Sequence, residues 1–138
     1  MIKSSLLAYA GALAFFLLAD MVWLGVLMTD AYRAWLGPLM REQPLLLPAA
    51  AFYLLYPMGL VVFAIGPALE RRSAARAAAL GAFFGLLAYG TYDLSNLATL
   101  TDWPWQLTVV DIVWGAALSC GSALAGYAAA RSWGSRPS

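Results

Sequence analysis

Four long apolar stretches constrain this chain more strongly than any motif in it. They run over residues 6–28, 45–69, 77–97 and 107–130. A helix needs about 20 mostly apolar residues to cross the hydrocarbon core of a bilayer, and each stretch reaches that length. The stretches are rich in Ala and Leu and show no apolar–polar alternation, which disfavours membrane strands. The sequence therefore predicts an all-α integral membrane four-helix bundle forming a single domain over residues 1–138.

The composition removes several kinds of chemistry. Charged residues make up 11% of the chain, whereas a soluble domain carries about 25%. The chain has no histidine, and its one cysteine, Cys120, permits no internal disulfide. The net charge of +1 gives no reason to expect nucleic acid as a partner. No cofactor fingerprint or metal-ligand spacing is present, so we expect no cofactor and no metal, and the chemistry falls to Asp, Tyr, Trp and Asn.

The basic residues predict how the chain is oriented. Six of them fall on one side of a four-span chain: Lys3, Arg71, Arg72, Arg76, Arg131 and Arg136. The other side carries only Arg33 and Arg41. Cytoplasmic loops are enriched in Lys and Arg. We therefore expect both termini in the cytoplasm and the first and last loops outside.

The first outer loop is predicted to contain a short helix that lies at the membrane interface. Thr29 and Asp30 are suited to cap a helix that continues to Leu36, and Gly37-Pro38 would end it. The Tyr and Trp side chains of this segment are typical of the headgroup layer.

Three carboxylates interrupt the apolar stretches: Asp20, Asp93 and Asp111. Each costs about 2.5–3.5 kcal/mol at the centre of a membrane helix, so we expect all three to face the bundle interior. Counting 1.5 Å per residue from the outer ends of the spans places them within roughly 6–12 Å of the outer boundary. Three positions far apart in sequence are therefore predicted to meet in one layer of the outer half of the bilayer.

Aromatic and amide side chains fall in the same layer. An Asp-x-x-Trp motif occurs in the first and fourth spans and a Tyr-x-x-Tyr motif in the second and third, which hints at an internal pseudo-twofold relation. We expect the following residues to surround the acids: Trp23, Tyr53, Tyr56, Tyr89, Tyr92, Asn96 and Trp114. Asn96 is predicted to be the main neutral hydrogen-bond partner.

Four segments resemble a bacterial family of small four-span membrane proteins, domain of unknown function 2177. They are Asp20-Met-Val-Trp23-Leu-Gly25, Phe52-Tyr-Leu-Leu-Tyr56, Thr91-Tyr-Asp-Leu-Ser-Asn-Leu-Ala-Thr99 and Val110-Asp-Ile-Val-Trp-Gly115. The resemblance covers nearly the whole chain and implies a four-helix protein of the inner membrane. It implies no activity.

The predicted pocket supports three interpretations. Carboxylates beside indole and phenol rings favour a binding or transport site for a lipid-like or cationic small molecule. Carboxyl groups with different protonation states could instead form a cofactor-free acid/base enzyme acting on a membrane lipid. The same residues could also be a structural hydrogen-bond core in an assembly subunit of a larger complex. Membrane lipids and a homodimer or larger membrane complex are the expected partners, and we favour the binding site.

Overall fold

A computed structural model describes residues 2–134. Five helices follow one another: α1 (Ile2–Leu27), α2 (Thr29–Leu36), α3 (Leu46–Glu70), α4 (Ala74–Thr99) and α5 (Trp105–Gly134). No strand occurs in this described part of the chain. All helices except α2 are long and apolar enough to cross a membrane. The predicted all-α fold with four spans is confirmed.

Helix α5 lies at the centre of the bundle, where it packs along both α1 and α4. Small residues make this close approach possible, because a side chain at the contact would separate the backbones. A Cβ atom added at Gly11 of α1 would lie 2.8 Å from the carbonyl oxygen of Ala125, and one added at Gly81 of α4 would lie 2.6 Å from Cβ of Ala123. The two contacts fix α1 and α4 on either side of α5.

The antiparallel helices divide the basic residues between the two ends of the bundle. Lys3, the loop between α3 and α4 with Arg71 and Arg72, and Arg131 near the end of α5 share one end. Arg33 and Arg41 lie at the other. Arg136, which also entered the orientation argument, lies outside the described residues. We call the end with Arg33 the outer end, because the charge distribution predicts that orientation.

Helix α3 is tightly held only in its inner part. Pro67 has no N–H group, and the turn before it widens into a π-helical segment over Val61–Ile65, in which the N–H of Gly66 donates to the carbonyl of Val61. This segment packs against α4, α5 and α1. Gly59 of α3 lies directly against the ring of Phe84 on α4. Over Leu46–Leu60, the part of α3 nearer the outer end, the helix packs chiefly on α1, and outward of Gly59 a gap opens between α3 and α4.

The predicted outer helix is present as α2. It ends at Gly37, whose φ of +54° is a backbone conformation that favours glycine. The predicted cap is wrong: Met28 occupies the cap position and no side chain caps the helix. The Thr29 hydroxyl instead donates to the carbonyl of Leu24, at the end of α1. The Thr29 side chain therefore bonds to a backbone carbonyl of α1 and to no backbone group of α2.

Candidate functional site

Asp20 of α1 is buried, with 5% of its surface exposed, and both of its carboxylate oxygens are hydrogen-bonded. Tyr53 of α3 donates to one oxygen at 2.5 Å, and the indole Nε1 of Trp114 on α5 donates to the other at 3.0 Å. Donors from two further helices therefore converge on one acid. Each oxygen of Asp20 therefore has one donor, and the two bonds join α3 and α5 to α1.

Asp111 of α5 is connected to α1 in a similar way. The hydroxyl of Tyr32, in α2, donates to Oδ1 of Asp111 at 3.2 Å and accepts from Nε1 of Trp23 at 2.8 Å. The indoles of Trp23 and Trp114 are stacked, with ring centroids 4.2 Å apart and planes 5° from parallel. Each tryptophan is therefore connected to the acid of the opposite helix, directly for Trp114 and through Tyr32 for Trp23.

The antiparallel packing of α1 and α5 explains this reciprocal arrangement. In each helix the motif places an acid and an indole three residues apart, on one face. Because the helices run in opposite directions, the acid of one lies level with the indole of the other. The two Asp-x-x-Trp motifs are thus related by an approximate local twofold axis that passes between the stacked rings. The tyrosine motifs are not related in this way. Tyr53 of α3 donates to Asp20, whereas neither tyrosine of the α4 motif donates to Asp111 among the described residues.

Asp93 of α4 is fully buried and differs from the other two acids. Neither of its carboxylate oxygens accepts a hydrogen bond from an N–H or hydroxyl group of the described residues. The carboxyl of Asp111 is the neighbouring acid with which Asp93 interacts. The structure therefore brings the three acids into one layer, with Asp93 paired to Asp111 and with Asp20 satisfied separately.

A cavity of about 650 Å³ lies between the outer part of α3 and the other helices. This volume is within the range of about 300–1,000 Å³ that is usual for small-molecule sites. The cavity reaches the surface of the bundle, because Phe52 of α3 and Tyr92 of α4 belong to its lining and are also exposed. Its lining is aromatic and acidic, with no lysine or arginine: Asp20, Leu24, Pro44, Ala49, Phe52, Tyr53, Tyr56, Ala88, Tyr89, Tyr92, Asp111 and Trp114.

Tyr89 occupies the middle of this lining. Its ring lies against Gly115 of α5, where an added Cβ would overlap the ring. It interacts electrostatically with both Asp20 and Asp111. Tyr56 forms an edge-to-face pair with it, at a centroid distance of 6.1 Å. Tyr89 of α4 therefore contacts both α5 and α3 within the cavity that Asp20 and Asp111 also line.

Three of the residues predicted for the site do not line the cavity. Trp23 lies behind Trp114 in the stacked pair, and Asp93 lies behind Asp111. Asn96 faces Tyr92, one turn away on the same helix, and donates to no carboxylate in the described chain. The expectation that Asn96 is the main neutral partner of the acids is therefore wrong. The indoles and tyrosine hydroxyls supply the donors instead.

Tyr32 is the residue of the network that the sequence did not single out. The sequence favoured a place in the headgroup layer, but its side chain is only 6% exposed. Burial raises the pKa of Tyr32 above the usual tyrosine value, and the charge of nearby Asp111 raises this pKa further, against the donation from Trp23. The sequence feature that could have indicated the bond between Trp23 and Tyr32 is their separation of nine residues, which places Tyr32 in the short helix that directly follows α1.

The acids do not form a recognisable metal centre. No group of three or more His, Cys, Asp or Glu side chains in residues 2–134 is arranged to hold a metal ion.

Four apolar helices around a buried acidic and aromatic cluster define a multi-pass helical membrane protein. The family model described as a predicted membrane protein, DUF2177, matches residues 5–128. The chain therefore belongs to this family. No curated protein and no solved structure matches it.

Proposed function

We propose that the protein lies in the bacterial inner membrane with both termini in the cytoplasm, and that its cavity binds a cationic, membrane-soluble small molecule. The observation that carries the proposal is the combination of two carboxylates with aromatic walls in one cavity of drug-like size. In this orientation the cavity lies in the outer half of the bilayer.

The charge of the lining supports a cation. Asp20 and Asp111 both reach the cavity, and no basic side chain there balances them. The rings of Trp114, Tyr53 and Tyr89 present faces that attract cations, and such contacts strengthen when the cation is desolvated. A neutral lipid would leave these charges without a counter-ion, and an anion would be repelled.

The opening supports a ligand that arrives from the membrane. Phe52 of α3 and Tyr92 of α4 line the cavity, and both are also exposed on helices long and apolar enough to span the membrane. A hydrophobic cation concentrates in the bilayer, so it would reach the site along this path without crossing the bundle. The apolar part would occupy the region near Ala49 and Ala88.

The two lining acids have different roles in this proposal. Asp20 already accepts two hydrogen bonds, so it positions Tyr53 and Trp114 and contributes charge. Asp111 accepts one bond from Tyr32, at the longer distance of 3.2 Å, and has acceptor capacity left for a ligand. Asp111 is therefore the direct counter-ion of the bound cation.

Binding of tetraphenylphosphonium, with its isosteric anion tetraphenylborate as the comparison, tests the proposal. Equilibrium dialysis of the purified protein in a neutral detergent should show saturable binding of the cation and not of the anion. Asp111→Asn should weaken cation binding at least tenfold, which corresponds to about 1.4 kcal/mol.

Asp102→Asn is the matched control, because Asp102 is an exposed acid in the last outer loop. It should bind the cation as the parent does. Circular dichroism of each variant separates loss of binding from loss of folding. Equal binding of both ions, or unchanged cation binding in a folded Asp111→Asn variant, would contradict the proposal.

A further inference from the structure

The pair formed by Asp93 and Asp111 calls for an explanation beyond ligand binding. Asp93 is 0% exposed, and both of its oxygens lack a donor from the described chain. Leaving a buried charge unpaired costs several kcal/mol. Two adjacent carboxylates of like charge cannot both be ionised without a further cost. A single proton between the two carboxyl groups removes both costs, because a protonated carboxyl donates to its neighbour.

The groups that surround this pair offer no other source of compensation. Tyr32 of α2 donates to Asp111, and Tyr92 of α4 lies within electrostatic range of both acids. Tyr89 interacts with Asp111 and with Asp20, which lies across the cavity on α1. These neighbours are neutral phenols or a further acid.

We propose that Asp93 and Asp111 hold one proton in the empty site and release it when a monovalent cation enters the cavity. The inference rests on the proposed function, because it assigns a proton as the exchange partner of the cation bound there. Asp111 is the shared residue: it faces the cavity on one side and Asp93 on the other.

The charges balance in this exchange. Before binding, the singly protonated pair carries one negative charge. After binding, its two carboxylates and one cation carry the same total. No covalent bond of the ligand changes, and the proton leaves to water or to its carrier. The buried layer therefore keeps its charge, and the cost of ionising Asp93 is offset by the cation beside Asp111.

Proton release during cation binding is the direct test. Tetraphenylphosphonium is added to the protein in weakly buffered neutral detergent solution that contains a pH-sensitive dye, and the bound cation is measured by dialysis. The parent should release one proton for each cation bound near neutral pH. Its apparent affinity should rise about tenfold per pH unit while the pair is protonated in the empty state.

The variant Asp93→Asn tests proton release independently of cation binding. The amide has the shape of the protonated acid and donates to Asp111 in the same way, so the variant is expected to fold. It should still bind the cation but release no proton, and its affinity should lose the dependence on pH. Asp102→Asn, in the exposed loop, should behave as the parent does in both measurements.

Infrared spectroscopy provides a second measurement that needs no ligand. The empty parent at neutral pH should show the carbonyl stretch of a protonated carboxylic acid, and Asp93→Asn should lack this band. Absence of the band in the parent would overturn the inference. So would cation binding without proton release, although the proposed function would then stand. Absence of any cation binding would instead refute the proposed function, and the exchange with it.

Discussion

The hydrogen bond from Trp114 to Asp20 should make a measurable contribution to stability. It joins α5 to α1 at 3.0 Å and ends on a carboxylate that is 5% exposed. Trp114→Phe removes the N–H group and keeps an aromatic ring against Trp23. Hydrogen bonds to charged groups contribute about 1.5–3 kcal/mol, whereas interhelical bonds in membranes average about 0.6 and reach about 1.7. The smaller ring also loses part of a stacking energy of about 0.5–1.5 kcal/mol. We expect a total loss of about 2 kcal/mol.

The free energy of unfolding in mixed micelles, followed by circular dichroism during titration with a denaturing detergent, measures this loss. Trp103→Phe is the matched control, because it removes an indole bond of the same length, 3.0 Å, to the neutral hydroxyl of Thr108. Such a neutral bond contributes about 0.5–1.5 kcal/mol. The reasoning is refuted if Trp114→Phe is no more destabilising than Trp103→Phe, since the charge of Asp20 would then add nothing.

Three further outcomes follow from the same structure. The pKa of Tyr32 is higher in the folded protein than in the unfolded chain, so its contribution to the free energy of unfolding is complete below pH 10 and is lost as the pH rises above that value. Tyr32→Phe should therefore show a smaller loss of stability at alkaline pH than the parent. Equilibrium unfolding from pH 8 to 12 measures this. Gly115→Ala should displace the ring of Tyr89, cost about 1–3 kcal/mol and reduce cation binding, whereas Gly25→Ala, which has open space around it, should do neither. A cysteine introduced at Ser73, with the native cysteine replaced by serine, should react with an impermeant thiol reagent only in inverted vesicles. Labelling of intact cells would reverse the orientation assigned from the basic residues.

The four spans could be predicted from sequence because a long apolar helix needs no partner to satisfy its backbone in a bilayer. The common depth of the three acids could be predicted for a related reason, since helical rise converts distance from a span end into height. The family could be predicted from short segments such as Thr91–Thr99, and the match of the family model over residues 5–128 confirms it.

The identity of the hydrogen-bond partners could not be predicted. Whether Asp20 bonds to Asn96 or to Trp114 depends on how the helices are arranged around α5, and spacing along one helix does not contain that information. Tyr32 was missed for the same reason, because its burial results from α2 folding back onto α5. The gap beside α3 depends on a packing difference between two halves of one continuous helix, and both halves are equally apolar.

The stacked indoles have a consequence for how the bundle can deform. Trp114 of α5 bonds to Asp20 of α1, and Trp23 of α1 is connected through Tyr32 to Asp111 of α5. Sliding α1 along α5 would therefore break both connections at once. These two helices therefore behave as one rigid body at this level. The outer part of α3 packs chiefly on α1, and further inward α3 is held by the bond from Tyr56 to Ser119 of α5 and by the contact of Gly59 with Phe84. We therefore expect a change in the width of the cavity to come from the outer turns of α3 and not from α1 or α5.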